Sequence, residues 1–278
     1  MLPTFQKPIH SHNDYWRDIP FYSALSHGCI SIEADVWLIN STLYVGHEPS
    51  ALTSTRTLSS LYVQPILSVL SRLNPTTPFS ALNSRPNGVF DTSSTQTLYL
   101  FIDIKTDGEE TWPAVVSALE PLRSANYLTT YNSTTRSITH GPVTIIGTGN
   151  APLSSFLALD SPRDFFYDAP INLLTTNPSP SEEITSLTSL TSSTSFLSSI
   201  GYPAYGSSGF SESQLEKIQS QIKAAKDKGI GMRYWDTPAW PLGVRNLIWR
   251  TLTDFGVFLL NADGLGEAAG EEEGGGVW

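Results

Sequence analysis

The chain has 278 residues, with 16 lysines and arginines against 26 aspartates and glutamates, and carries a net charge of −10. An apolar fraction of 40% is enough for a large core and excludes a disordered polymer. The acidic balance argues against a nucleic-acid partner, which needs a basic face. Charged residues make up only 15%, and 64 positions are serine or threonine. The single cysteine, Cys29, excludes an intrachain disulfide and a cysteine-based zinc site. No run of about 18 apolar residues occurs, so no helical membrane span is expected, and peripheral membrane contact stays open.

Apolar runs bounded by breakers alternate with helical patterns, the mark of an α/β fold with a parallel sheet. Strands are predicted at Pro8–His12, Ile30–Val36, Leu98–Ile104, Val143–Gly147, Asp164–Asp168, Ser195–Ile200, Gly231–Trp235 and Val257–Asn261. Helices are predicted between them at Ile19–His27, Leu58–Leu73, Glu109–Leu122, Ser211–Lys228 and Leu242–Asp254, with weaker ones near 151–163 and 181–193. Ser211 with Gln214 forms a capping-box pattern, and Gly229 is a stop signal. The Pro-, Ser- and Asn-rich stretch Asn74–Gln96 reads as a loop. Eight strands with intervening helices suit a single-domain (β/α)₈ TIM barrel over residues 1–265. A doubly wound sheet is disfavoured because no glycine-rich phosphate loop follows the first strand. Residues 266–278, with three successive glutamates and three glycines, read as a disordered tail. A monomer is expected. Met1–Lys7 is too short and polar for a signal peptide, and a targeting segment ahead of it with a location outside the cytosol is the favoured reading.

In such a barrel the chemistry sits where strands end and βα loops begin. Glu33 and Asp35 are two apart on one strand and share a face. Asp103, at the end of the next strand, adds a third carboxylate. Three buried acids repel one another unless a cation lies between them, and an all-oxygen set suits a hard divalent ion such as Mg²⁺, with Ca²⁺ or Mn²⁺ as alternatives. His12 and His47 emerge beside these acids, placed for proton transfer on either side of a bound phosphate. His27, at a helix end, and His140, in a loop, read as structural.

Together His10-Ser11-His12-Asn13-Asp14-Tyr15, Ile32-Glu33-Ala34-Asp35-Val36-Trp37, Val45-Gly46-His47, Asp103-Ile104-Lys105-Thr106-Asp107-Gly108 and Arg233-Tyr234-Trp235-Asp236 resemble the phospholipase-C-like phosphodiesterases. That superfamily includes glycerophosphodiester phosphodiesterases and sphingomyelinase D toxins. The pattern is most similar to the fungal family called altered inheritance of mitochondria protein six, over about Pro8 to Leu265. The resemblance implies a barrel acting on a phosphodiester, lipid headgroup or glycerophosphodiester, with one Mg²⁺. It implies Glu33, Asp35 and Asp103 as metal ligands and His12 and His47 as catalytic groups. Lys105, Trp235, Asn261, His10 and Asn13 are then candidate substrate contacts. The chain departs from the glycerophosphodiesterases in its His-Ser-His start, in Glu48 after His47, and in lacking a long insertion there. Two other readings remain. One is a His-x-His metallohydrolase of the amidohydrolase type using His10 and His12, although no histidine follows His140. The other is a non-catalytic ligand-binding barrel.

Overall fold

The computed structural model describes residues 5–80, 85–175, 184–204 and 209–270. In chain order the elements are β1 (Lys7–Ser11), α1 (Pro20–Ser26), β2 (Cys29–Ile39), β3 (Thr42–Val45), α2 (Gln64–Leu73) and β4 (Leu98–Ile104). Next come α3 (Gly108–Ala118), α4 (Glu120–Ser124), β5 (Thr130–Asn132), β6 (Ser137–Thr139), β7 (Val143–Gly149), α5 (Ser154–Leu157), β8 (Phe165–Pro170) and α6 (Asn172–Thr175). The last third holds β9 (Ser189–Ser195), α7 (Phe196–Ser199), α8 (Glu212–Asp227), β10 (Gly231–Trp235), α9 (Leu242–Asp254), β11 (Leu260–Ala262) and α10 (Leu265–Ala269).

Eight strands pair in parallel in the order β1, β2, β4, β7, β8, β9, β10, with β11 on the other side of β1. The seam between β10 and β11 is joined by a parallel bridge, Arg233 to Leu259, supported by the N–H of Phe258 donating to the Met232 carbonyl. This is the expected TIM-type barrel. β3 folds back on β2 as an antiparallel hairpin whose turn, Asn40-Ser41, is left-handed at both residues.

Strand periodicity explains the layers. On β2, Ile30, Ile32, Ala34 and Val36 alternate with Ser31, Glu33 and Asp35, and all seven are buried. The apolar set faces the helices, and the polar set faces the barrel interior with His10, Phe101, Asp168 and Arg233. Burying a strand on both faces normally gives an unbroken aliphatic run; here one face carries hydrogen-bonding groups instead.

The helix predictions hold closely for α9 and for α8, whose Ser211–Gln214 capping box is formed. The stretch Leu58–Leu73 starts with a π-helical turn, Ser59–Val63, before α2. Glu109–Leu122 divides into α3 and α4 at Leu119, where Pro121 enters the next turn without an N–H to continue the ladder. The described part of Asn74–Gln96 holds no α-helix and no strand.

Two expectations are corrected. The sixth barrel strand is Ser189–Ser195, not Ser195–Ile200, and it takes the last five residues, 189–193, of what reads as a weak helix over 181–193; residues 181–183 lie outside the described residues. The apolar run after it is the helical turn α7, capped by Ser195 Oγ accepting from the N–H of Ser198. The expected tail begins too early, because α10 buries Ala268 and Ala269 against the body and Lys7 Nζ donates to the Ala269 carbonyl. Residues 271–278 lie outside the described residues.

Candidate active site

The register of β2 on β4 sets Asp35 opposite Asp103, with Glu33 one pleat deeper. Carboxylate oxygens of Glu33, Asp35 and Asp103 lie within 4.8 Å of one another. They line a cleft of about 410 Å³ at the C-terminal ends of the strands, together with His12, Asn13, His47, Lys105, Thr148, Gly149, Arg233, Trp235 and Asp236. A larger hollow of about 660 Å³ opens at the opposite end of the barrel between residues such as Tyr99, Leu190 and Phe258, with His140 at its edge. The groups able to move protons or hold a cation gather in the smaller one.

The donor set fits a hard divalent cation: three oxygens, two of them on buried side chains, with an open cleft for water or substrate oxygens. Gly149 helps make the room. Its φ is +65°, and a Cβ there would meet Oδ1 of Asp103 at 2.0 Å. Lys105 Nζ bridges Oδ2 of Asp35 at 3.0 Å and Oδ2 of Asp103 at 2.9 Å.

The protonation of these acids follows from their neighbours. Burial pushes Asp103 up to about 6, with Lys105 opposing and the Glu33 and Asp35 charges adding to the rise. Asp35 is likewise raised, by burial and by Glu33, against the pull of Lys105 and Tyr15. Glu33 goes the other way. Although buried, it is held well below the usual carboxylate range by His12, His10 and Arg233.

The two histidines flank the acids. Nε2 of His12 is 3.7 Å from Oε2 of Glu33, and its Nδ1 sits 2.9 Å from Oδ1 of Asp263 in the loop after β11. Asn13 Nδ2 donates to the same Asp263 oxygen at 3.1 Å. Burial works against a charged His12 ring, yet Glu33 and Asp263 outweigh it and raise its pKa above the ordinary histidine value. On the other side, His47 Nδ1 is 3.4 Å from Oδ2 of Asp35, and its half-exposed ring meets the edge of Trp16 at 5.9 Å between centroids. Tyr15, buried below, places its hydroxyl 2.7 Å from Asp35 Oδ2, 2.5 Å from Asn13 Oδ1 and 3.2 Å from His47 Nδ1. Burial and the Asp35 charge keep that phenol protonated.

Two residues expected among the substrate contacts stand elsewhere. His10 is fully buried beneath the cleft, with Nδ1 2.7 Å from Ser31 Oγ and Nε2 3.1 Å from an Arg233 guanidinium nitrogen. Arginine can only donate, so Nε2 accepts, and Nδ1 carries the proton toward Ser31. Burial, together with Arg233, lowers His10 to about 4 and holds it neutral. Both ring nitrogens are thereby engaged, which removes the His10–His12 zinc pair of the amidohydrolase reading. Asn261 is also buried, accepting from Arg233 at 2.9 Å.

Arg233 is the residue that sequence reasoning quoted without giving it a place. It is 2% exposed, lies over the Phe101 ring at 4.8 Å, donates to Asp168 at 3.3 Å and sits 3.8 Å from Glu33 Oε1. Asp168 in turn accepts from Thr148, Thr191 and Ser193. The available signal was its spacing: Arg233 shares a face with Trp235, two residues on. Asp263 and Tyr15 were missed for a similar reason, because their partners are distant in sequence.

A sequence profile described as the AIM6-like phosphodiesterase domain matches residues 3–168. The chain is 54% identical over 270 residues to "Altered inheritance of mitochondria protein 6 homolog" of Arthroderma benhamiae, covering 95% of this chain and 83% of that protein. It is 33% identical to "Altered inheritance of mitochondria protein 6" of Eremothecium gossypii, covering 92% of this chain and 67% of that one. Among solved structures, phosphatidylinositol-specific phospholipase C from Listeria monocytogenes aligns over 94% of this chain and 87% of its own, at 12% identity and a TM-score of 0.43. By the profile match and the two relatives, the chain belongs to the AIM6-like phosphodiesterase domain family.

Proposed function

We propose that the cleft cleaves a phosphodiester with His12 and His47 as the proton-transferring pair and Glu33, Asp35 and Asp103 as the seat of a divalent cation, Mg²⁺ by the hardness of the ligands. The observation that carries this reading is the placement of one histidine at each flank of a single carboxylate cluster. A cation held there supplies positive charge to the non-bridging phosphate oxygens. Lys105 adds a second positive group at the same wall of the cleft, aimed at oxygens whose charge grows in the transition state. One histidine takes the proton from the attacking oxygen, which belongs to water or to a neighbouring hydroxyl of the substrate. The new P–O bond forms as the ester P–O bond breaks, and the other histidine delivers a proton to the leaving oxygen. Attack by water gives a phosphomonoester and an alcohol; attack by a substrate hydroxyl gives a cyclic phosphate and the same alcohol. Asp263 fixes the His12 ring so that Nε2 faces the cleft, and Trp235 offers a partly exposed ring at its rim for the substrate's organic part.

The test is a Mg²⁺-supplemented screen of aryl phosphodiesters, glycerophosphodiesters and lysophospholipids with products read by mass spectrometry. Turnover by the native chain, abolished in both His12→Ala and His47→Ala while the circular dichroism spectrum is retained, is the expected result. Near-native turnover in either variant overturns the assignment.

A further inference from the structure

The hollow at the N-terminal end of the barrel shares no residue with the cleft that holds the acids. Its walls are apolar, with Ile138, Leu187, Leu190, Ile222 and Phe258 among them, and its volume of about 660 Å³ is that of a small-molecule pocket. Tyr99 and His140 line it and also line a second hollow of about 330 Å³, whose other walls are polar and include Arg85, Thr95 and Thr97. An apolar and a polar hollow thus adjoin along one surface. Tyr99, at the start of β4, stands where they meet, its ring edge-on to Phe258 at 5.4 Å between centroids.

The polar groups here are short of partners. Among the described residues Arg85 makes no ion pair: its Nη2 reaches only the Thr95 and Gly141 carbonyls, each at 3.4 Å, and its Nε is buried without an acceptor. Burial raises the pKa of the Tyr99 phenol, which stays protonated and able to donate. Burial and the neighbouring Arg85 charge lower the pKa of His140, so its ring is neutral at pH 7. No carboxylate of the described residues lines either hollow, although the chain has 26 acids. Asp91, Asp227 and Asp254 adjoin lining positions in sequence without lining a hollow themselves, and Asp227 is already paired with Lys223 at 2.5 Å. Glu182 and Glu183 lie outside the described residues. The apolar hollow has a second cation, Lys226, but it is exposed, and an ion pair formed in water adds little. Arg85 is half-buried and gains more from a carboxylate, which a guanidinium holds through two parallel hydrogen bonds. One uncompensated positive group beside a concave hydrocarbon wall calls for an occupant with one negative group and an aliphatic remainder.

We propose that this surface binds an aliphatic monocarboxylate, its chain in the apolar hollow and its carboxylate at Arg85, beside Tyr99 and His140. The site lies at the opposite end of the barrel from Glu33, Asp35 and Asp103 and stands apart from the phosphodiesterase reading of the cleft.

The experiment is titration calorimetry of the native chain in EDTA with decanoate, decanol and hexanoate, at a pH of about 7.5 where both acids are ionised. Decanoate is expected to bind one to one. Decanol keeps the chain and lacks the charge, and is expected to bind roughly 10–100-fold more weakly, the scale of a hydrogen bond to a charged group. Hexanoate keeps the charge and is four methylenes shorter, which is expected to cost roughly a hundredfold. Arg85→Met should bring decanoate down to the affinity of decanol and leave decanol unchanged, Arg85→Lys should keep part of the difference, and Lys226→Gln should alter neither. Leu190→Trp fills the apolar hollow and should abolish binding of both, with the circular dichroism spectrum retained; the Arg85 variants decide the matter if it does not fold. Absence of saturable decanoate binding, equal affinity for decanoate and decanol, or native affinity for decanoate in Arg85→Met would each overturn the site. Undiminished binding by a folded Leu190→Trp chain would place decanoate elsewhere and overturn it too. So would a dimer on gel filtration that decanoate dissolves, because the hollow would then be a contact with a second copy.

Discussion

Gly149 faces Asp103 so closely that a single added carbon would lie 2.0 Å from the carboxylate oxygen. The substitution Gly149→Ala thus meets two penalties, a collision with a proposed cation ligand and a positive φ that costs an alanine about 1–2 kcal/mol. Displacing one ligand is expected to weaken Mg²⁺ binding by roughly 10–100-fold, the scale of a disturbed ligand shell. Isothermal calorimetry checks this, and unchanged affinity refutes the assignment of Asp103.

Cation affinity should also depend on pH. Asp103 has its pKa pushed up to about 6, so below that value a proton competes with the metal for its oxygens. Lowering the pH from 7 to 5 is expected to weaken Mg²⁺ binding by roughly tenfold through this group, with proton release accompanying binding. A flat affinity over that range would count against the site.

Asp263 acts through His12 and does not line the cleft. Replacing it by asparagine removes an anion that raises the pKa of His12, so the limb of the pH–rate profile set by His12 should move to lower pH. Turnover should drop by roughly a hundredfold, the scale on which an acid–base group depends on its orientation. A drop in rate with no displacement of the profile would point to a structural role alone.

Arg233→Met leaves Glu33 and Asp168 facing each other's field without their shared cation. Breaking a buried pair in this way costs about 3–5 kcal/mol, measurable by urea unfolding at pH 7. A loss below about 1 kcal/mol would show that the hydroxyls around Asp168 carry the network unaided.

His10 links stability to acidity. Its folded pKa of about 4 lies below the unfolded value near 6.5, so between those values the unfolded chain binds the extra proton. Stability is therefore fully present above about pH 6.5 and declines as pH falls toward about 4, by about 3 kcal/mol from this group. Glutamine can donate to Ser31 and accept from Arg233 without titrating, so His10→Gln should show a correspondingly smaller loss between pH 7 and 4.5. An identical loss in both proteins would assign the pH dependence elsewhere.

The sequence made the barrel and its acids legible because β2 sets Glu33 and Asp35 at a spacing of two against an apolar outer face, while β4 and β10 each carry one charged residue, Asp103 or Arg233, in an otherwise uncharged strand. β9 was not legible. Its residues Ser189, Thr191 and Ser193 satisfy the Tyr167 carbonyl and Asp168 inside the barrel, so the strand lacks the hydrophobic signal that strand prediction relies on. The neighbouring Phe196-Leu197-Ser198-Ser199-Ile200 has that signal and is not a strand, because Ser195 caps a helical turn first. The division of the site into wall and support was equally hidden. His10 and His12 sit two apart on a strand end, yet one is sealed under Arg233 and the other opens on the cleft. Only the pairing of β1 with β2 and β11 decides which.

Arg233 has one more consequence. Its backbone bridges to Leu259 at the seam, and its guanidinium reaches Asn261 on β11, His10 on β1 and Asp168 on β8. The ring of strands is thus buttoned shut by the same side chain that forms part of the cleft floor. Closure of the seam and tenancy of the cleft then share a free energy. Whatever seats itself against Glu33 and its neighbours should slow amide exchange along β10 and β11, several strands away from the acids it touches.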